Sequence, residues 1–196
     1  MVGLSFFGFS LGLVVRADLG LAPWDVFHQG VSQQLGWSLG TVIVATSFVV
    51  VVLWIPIRER PGIGTLANAV LVGIWVDISL WILPEVLSSL VLRFVVLAVG
   101  IVVNGVATGL YIGARFGSGP RDGLMTGLAA RGYSVRVVRT IIEAIVLISG
   151  FALGGSVGIG TVLFAVAIGP IAHQAIPFFT RFTTTSNKES VKPSSA

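Results

Sequence analysis

Long apolar runs separated by short polar breaks fill most of the chain. Several runs approach the roughly 20 residues that a helix needs to cross a bilayer. The run TVIVATSFVVVVLWIPI, residues 41–57, has no polar stripe at helical spacing, which a soluble helix would need. The pattern therefore predicts six membrane-spanning helices. Their predicted bounds are Val2–Val15, Gly40–Ile57, Leu66–Leu83, Leu90–Ile112, Arg136–Leu153 and Thr161–Phe178.

Two shorter segments interrupt this series. Trp24–Leu35 lies between the first and second spans, and Arg121–Ala130 lies between the fourth and fifth. Each is too short to cross a bilayer and directly follows a proline, which is favoured in the first turn of a helix. We therefore expect two short re-entrant or interfacial helices. The first span lacks the basic leader of a signal peptide and is expected to be retained. Residues 183–196, TTTSNKESVKPSSA, are predicted to form a disordered cytoplasmic tail.

Composition agrees with a membrane protein and excludes other classes. The chain has 196 residues, of which 55% are hydrophobic and 10% are charged, whereas about 25% of residues are charged in a soluble globular protein. The absence of cysteine excludes disulfides, thiolate catalysis and thiolate metal sites. The net charge of +4 does not indicate a nucleic-acid partner, because the basic residues are scattered among loops.

The distribution of basic residues predicts the orientation of the chain. If neither short helix crosses, ten of the 12 Lys and Arg residues fall on one side of the membrane, and Arg16 and Arg93 fall on the other. Basic residues collect on the cytoplasmic side. We therefore predict a protein of the bacterial cytoplasmic (inner or plasma) membrane with both termini in the cytoplasm. The ten residues are Arg58, Arg60, Arg115, Arg121, Arg131, Arg136, Arg139, Arg181, Lys188 and Lys192.

The two short segments carry the same sequence motif, called the repeated phrase below. LGLAPWDVFHQG, residues 19–30, and FGSGPRDGLMTG, residues 116–127, share Gly, Pro, Asp and Gly at the same spacings. The correspondence extends along the chain at a shift of 97 and then 96 positions, so that GIGT at residues 62–65 recurs at 158–161. Each half holds an odd number of crossings, so the halves must enter the membrane in opposite orientations. The sequence therefore predicts one transmembrane domain, residues 1–182, built from two inverted three-helix repeats, residues 1–87 and 88–182.

Five motifs carry a resemblance to a known family. They are LGLAPWDVFHQG, RPGIGTLANAVLVGIWVD, GSGPRDGLM, VRVVRTIIEA and GGSVGIGTVLFAVAIGP. With these motifs the chain resembles the YczE/YyaS/YitT-type family of bacterial integral membrane proteins, over nearly its whole length apart from the tail. The resemblance implies a membrane protein of a family in which some members are linked to antibiotic or lipopeptide production and to export. It brings no catalytic residue and no shared substrate.

Asp25 and Asp122 are the first candidates for a binding site. Non-helical backbone at membrane depth is tolerated only inside protein or beside a water-filled cavity, and interrupted helices of inverted repeats typically bound a midplane site. Each aspartate follows a helix-starting proline, so its carboxylate either caps the free amides of its own helix or contacts a substrate or ion. If the short helices converge, we expect Asp25, Asp122 and Asp77 to border one polar cavity.

Further polar residues in apolar surroundings widen the candidate set. Asp77 and His173 are equivalent at a shift of 96 positions. They suit either a proton-sensitive pair or two separate hydrated positions near opposite surfaces. Arg139 and Glu143 stand four residues apart on one helix face and are predicted to form a structural ion pair.

Four neutral polar residues are expected either to line a cavity or to bond between helices. They are Asn68, Asn104, Thr65 and Thr161. His28 is predicted to be interfacial rather than a ligand. Two histidines without a tight carboxylate cluster do not indicate a metal site. We expect no catalytic residue and no cofactor.

These observations predict an all-α polytopic membrane protein that acts as a small transporter or exporter, by alternating access around a midplane site. The alternative is an accessory membrane protein that supports the maturation or export of another system without a transport cycle. A membrane-embedded enzyme is disfavoured, because no nucleophile, metal set or paired carboxylates stand out. The expected partners are the lipid bilayer, an unidentified small-molecule substrate and, in a homo-oligomer, further copies of the chain. Nucleic acid is not an expected partner.

Overall fold

The computed structural model describes residues 1–85, 87–113 and 119–189, and all regular structure in this part of the chain is helical. The helices follow the order of the predicted apolar runs. They are α1 (Val2–Ala17), α2 (Pro23–Leu35), α3 (Leu39–Val52), α4 (Trp54–Ile57), α5 (Ile63–Ile82), α6 (Leu90–Gly113), α7 (Pro120–Ala129), α8 (Val135–Ala152) and α9 (Ile159–Glu189).

Every predicted span falls on helical structure, and the second span falls on α3 and α4 together. Four helical stretches are long and apolar enough to cross a bilayer: Leu39–Ile57, Ile63–Ile82, Leu90–Ile112 and Ile159–Thr180. The remaining two predicted spans fall on α1, a shorter apolar helix of 16 residues, and on α8, which carries Arg136, Arg139 and Glu143. The prediction of an all-helical polytopic membrane protein is confirmed for the described residues.

The two short helices begin where their prolines predict. Pro23 and Pro120 lie in the first turns of α2 and α7, and each follows an N-cap residue with extended backbone, Ala22 or Gly119. Proline suits this position because its fixed φ is helical and its missing N–H would have no partner there. Neither helix receives a side-chain hydrogen bond at its N-cap.

The two GIGT motifs begin helices in the same way. The Oγ1 atom of Thr65 accepts a hydrogen bond of 3.2 Å from the backbone N–H of Gly62, and Thr161 accepts one of 3.2 Å from Gly158. Both threonines are buried, at 1% and 7% exposed. Each threonine thus satisfies an amide at the start of α5 or α9, as the third residue of a capping box does.

The longer helices pack around α1 and α6, which lie against each other. α5 packs on α1 and α3, and α9 packs on α6. One core cluster joins α1, α6 and the loop before α2 through Val14, Leu21, Leu97 and Ile101. A second cluster joins α1, α3 and α5.

Each short helix lies across the opposite half of the chain. α2 packs mainly on α8, and α7 packs on α3, α4 and α8. The α2–α8 crossing is close because Gly150 stands at it: a Cβ atom there would lie 2.5 Å from the Cα atom of Phe27. Near this crossing the N–H of Leu21 donates to Ser156 O at 3.2 Å, and the N–H of Ser156 donates to Gln29 Oε1 at 2.6 Å. The short helices are therefore held by the interior of the protein.

The last helix extends into the segment for which the sequence predicts disorder. α9 continues to Glu189, past two internal prolines, Pro170 and Pro177. The rest of the predicted tail, residues 190–196, lies outside the described residues.

Candidate functional site

A cavity of about 430 Å³ lies where the N-termini of α2 and α7 meet. Pro23, Trp24 and Asp25 line it from α2, and Pro120, Arg121 and Asp122 line it from α7. Side chains of the longer helices complete the wall, so both halves of the chain contribute. A volume of this size is typical of pockets that hold a small molecule.

Asp25 connects the two short helices. Its residue is 4% exposed, and its Oδ1 atom lies 3.5 Å from Nδ1 of His28 and 3.6 Å from Nη2 of Arg121. The Arg121 guanidinium also stacks over Trp24, with its Cζ atom 5.3 Å from the ring centroid. The cation of α7 is thus attracted by both a carboxylate and an aromatic face of α2.

Asp122 is held from a neighbouring helix. Its Oδ2 atom accepts a hydrogen bond of 2.8 Å from the hydroxyl of Tyr111 on α6. The α7 N-terminus is anchored as well, because the buried Trp54 indole N–H donates to the carbonyl of Pro120 at 3.1 Å. These two bonds fix the position of the second carboxylate relative to the cavity.

Arg139 and Glu143 bring a third carboxylate and a second guanidinium to the wall. The Nε atom of Arg139 donates to Oε1 of Glu143 at 2.8 Å, and both residues line the cavity. Their side chains are 59% and 32% exposed. Arg139 and Glu143 therefore form the predicted ion pair with each other and also line the cavity.

Neutral polar groups complete the lining. Asn68 on α5 and Asn104 on α6 both face the cavity, with Asn104 only 2% exposed. The Nδ2 atom of Asn104 donates to Ser10 Oγ at 2.9 Å, which bonds α6 to α1. Asn104 therefore lines the cavity and bonds between helices, two roles that the sequence presents as alternatives.

Three polar atoms near the α2 N-terminus are buried without a hydrogen-bond partner in the described part of the chain. They are Nε1 of Trp24, Oδ1 of Asp25 and Nδ1 of His28, the last two facing each other at 3.5 Å, longer than a normal hydrogen bond. Burying such atoms unpaired costs free energy, and in native proteins they usually have a partner. Their concentration beside a cavity distinguishes this place from the rest of the described interior.

The structure does not bring Asp77 and His173 to this site, so the expectation that Asp77 borders the cavity is corrected. Oδ1 of Asp77 accepts from the N–H of Gly40 at 2.7 Å, and Oδ2 accepts from the hydroxyl of Ser38 at 2.6 Å. Its carboxylate thus holds the start of α3. His173 is exposed on α9 and does not line the cavity.

Three further expectations change with the geometry. Asp25 and Asp122 do not cap their own helices, because their carboxylates turn towards Arg121 and His28 in one case and towards Tyr111 in the other. The side chain of His28 is enclosed by other residues, at 1% exposed, and so does not itself face an interface. Thr65 and Thr161 lie at helix starts and not in the cavity wall.

Sequence reasoning missed Trp24, Arg121 and Tyr111 as site residues. Trp24 and Arg121 follow the two prolines directly, so the signal was their place in the repeated phrase. Tyr111 was signalled only by a hydroxyl within an apolar span, which gives no partner. In the described residues no group of three or more His, Asp or Glu side chains is placed to hold a metal ion.

Comparison with known proteins agrees with the membrane character of the chain. Residues 1–177 match DUF6198, a family of unknown function. An uncharacterized protein of Haemophilus influenzae is 39% identical over 88% of this chain and 79% of its own length. The uncharacterized membrane protein YczE of Bacillus subtilis is 34% identical over 89% of this chain and 82% of its own. The uncharacterized protein YyaS of the same organism is 28% identical over 95% of each. No solved structure matches the chain.

Proposed function

Because this chain belongs to DUF6198, a family of unknown function, we propose a function from the geometry of the cavity. The protein is a small membrane transporter that moves a small molecule by alternating access between two inverted repeats. The observation that carries the proposal is the meeting of two short-helix N-termini, one from each half, at one charged cavity. The transporter is not an enzyme, and it needs no chemical step.

Equivalent contacts in the two halves support the repeat. Gly8 of α1 lies against Trp75 of α5, and Gly105 of α6 lies against Ile171 of α9. Gly12 likewise meets Ser79, and Gly109 meets Ala175. The glycines differ by 97 positions and their partners by 96, the same shifts that relate the two halves of the sequence.

Each short helix packs on helices of the other half, which supports an interface between the two repeats. α2 of the first half lies on α8 of the second, and α7 of the second half lies on α3 and α4 of the first. Three crossings per half would insert the halves in opposite orientations. The cavity would then lie near the bilayer midplane, where transporters built from inverted repeats bind their substrates.

The orientation follows from the basic residues that are not used in the cavity. Arg121 and Arg139 line the cavity, so they are set aside from the ten residues counted on the cytoplasmic side. Eight remain on that side against two on the other, Arg16 and Arg93. This excess supports an orientation with both termini in the cytoplasm, within a bacterial cytoplasmic membrane.

A ligand screen on the purified full chain tests the proposal. A compound that binds the folded state raises thermal stability by mass action, by about 2.7 kcal/mol at 100 times its Kd. We expect at least one small molecule to stabilise the protein and to be taken up by vesicles that contain it. Asp25→Asn and Asp122→Asn keep the side-chain shape and remove the charge, so folding should survive while stabilisation and uptake fall about tenfold.

Asp18→Asn is the matched control, because Asp18 is exposed, away from the cavity, and Asn tolerates its left-handed backbone. This variant should retain binding and uptake. Full activity in both cavity variants would contradict the proposal. A protein with no stabilising compound and no uptake would instead support the accessory role, in which the chain serves another membrane system without transport.

A further inference from the structure

The cavity carries charges of both signs in near balance. Asp25, Asp122 and Glu143 contribute three carboxylates to its wall, and Arg121 and Arg139 contribute two guanidiniums. The positive ends of the α2 and α7 dipoles, about half a charge each, offset the remaining negative charge. A ligand with a large net charge would upset this balance at low dielectric. A ligand with separated positive and negative groups would not.

The buried atoms of α2 define what such a ligand must offer. Nε1 of Trp24 is a donor without a hydrogen-bond partner in the described residues. Oδ1 of Asp25 is an acceptor whose neighbouring donors, Nδ1 of His28 and Nη2 of Arg121, lie 3.5 Å and 3.6 Å away, longer than a normal hydrogen bond. The Trp24 and Asp25 atoms belong to consecutive residues that both line the cavity. A ligand that satisfies them must donate and accept hydrogen bonds at neighbouring positions. An ammonium group beside a carboxylate meets this requirement.

Much of the rest of the wall is apolar. Its apolar lining includes Phe7, Leu11, Ile43, Val72, Phe164 and Ile168. An apolar side chain on the ligand would be buried against these residues, and burial of apolar surface favours binding. The cavity therefore offers both charged and apolar groups to a ligand.

We propose that the cavity binds a small zwitterion, with an ammonium group next to a carboxylate and an apolar side chain. This inference rests on the proposed function and names its substrate class. The ligand ammonium binds Oδ1 of Asp25, and the ligand carboxylate binds the Arg121 guanidinium and the Trp24 indole N–H. One ion pair of the protein is replaced by two pairs with the ligand, so no charge is left without a partner.

Arg121 is placed to make this exchange. Its Nη2 atom is 3.6 Å from Asp25 Oδ1, longer than the roughly 2.7–2.9 Å of a charge-assisted hydrogen bond. Its side chain is 24% exposed, whereas that of Asp25 is 5% exposed. The guanidinium therefore covers the carboxylate loosely and moves aside when the ammonium enters.

L-phenylalanine and two relatives that each lack one charge test the inference. Phenethylamine keeps the ammonium without the carboxylate, and N-acetyl-L-phenylalanine keeps the carboxylate without the ammonium. Thermal unfolding of the purified full chain should give L-phenylalanine an affinity roughly tenfold or more above either relative, because a lost hydrogen bond to a charged group weakens binding by about that factor. Equal binding of either relative would overturn the inference.

Two variants test which protein group binds the ligand ammonium and which binds the ligand carboxylate. Asp25→Asn should weaken L-phenylalanine about tenfold and bring it close to N-acetyl-L-phenylalanine, because the ammonium has lost its partner. Trp24→Phe keeps the aromatic ring and should reduce the preference for L-phenylalanine over phenethylamine. It provides the test if Asp25→Asn does not fold. The control Asp18→Asn should retain both preferences, and cavity variants that also retain them would contradict the assignment.

The two proposals fail in different ways. If L-phenylalanine does not stabilise the chain but the wider screen finds an organic cation or anion that does, the zwitterion is wrong and the transport function stands. If no compound of any charge class binds, both are wrong.

Discussion

The carboxylate of Asp77 accepts two hydrogen bonds from the start of α3, whereas that of Asp25 is buried beside a guanidinium and an imidazole. Both aspartates lie in apolar sequence, and an intramembrane acid is by default a candidate for function. The difference between them is set by distant residues: Ser38 lies 39 positions before Asp77, and Arg121 lies on the other half of the chain from Asp25. Local sequence therefore marks the acids but does not assign their roles.

Replacement of Asp77 should affect stability and leave binding intact. Asp77→Ala removes both acceptors and leaves the Gly40 N–H without its partner, which should lower the free energy of unfolding by about 1–3 kcal/mol. Asp77→Asn keeps one acceptor for that N–H and should lose less. Denaturant or thermal unfolding of the purified variants measures both. If Asp77→Ala kept its stability but lost ligand binding, Asp77 would have to be a residue of the binding site.

At the scale of helices, the sequence correctly predicts which helices form and in what order along the chain. Apolar runs mark the long helices, and Pro23 and Pro120 mark the abrupt starts of α2 and α7. These are local signals, because the fixed φ of proline and the apolar pattern of a helix are both read from neighbouring residues. The crossing of α2 with α8 is not local, since it depends on Gly150 meeting Phe27 more than a hundred residues earlier. Only the repeat connects such distant segments in the sequence.

The α2–α8 crossing should be sensitive to one added carbon atom. Gly150→Ala places a Cβ atom 2.5 Å from Phe27 Cα, against backbone that cannot rotate away. Overpacking of this kind typically costs about 1–3 kcal/mol of unfolding free energy. Ala144→Ser adds one heavy atom to an exposed position of the same helix and should change stability by less than about 0.5 kcal/mol. Equal unfolding transitions for the two variants would show that the helices do not touch at Gly150.

At the scale of the whole molecule, the folded chain combines signals that the sequence carries separately. The repeated phrase predicts that Asp25 and Asp122 share a cavity, and the structure has both in one wall. The sequence could not predict that Tyr111 would bond Asp122, or that Trp54 would hold Pro120, because each pair forms only when separate helices pack. The balance of charge in the cavity likewise exists only after the two halves have met.

Topology provides the test at this scale, because the inverted repeat requires α2 and α7 not to cross the membrane. Three crossings would then precede Ser88, which is exposed in the loop before α6, and place it outside the cell. If α2 crossed as well, four crossings would return Ser88 to the cytoplasm. The chain has no cysteine, so Ser88→Cys and Ser186→Cys each introduce a single thiol. A membrane-impermeant maleimide added to intact cells should label Ser88→Cys fully and Ser186→Cys only after the membrane is opened. Labelling of Ser88→Cys only from the cytoplasmic side would contradict the inverted repeat and, with it, the alternating-access mechanism.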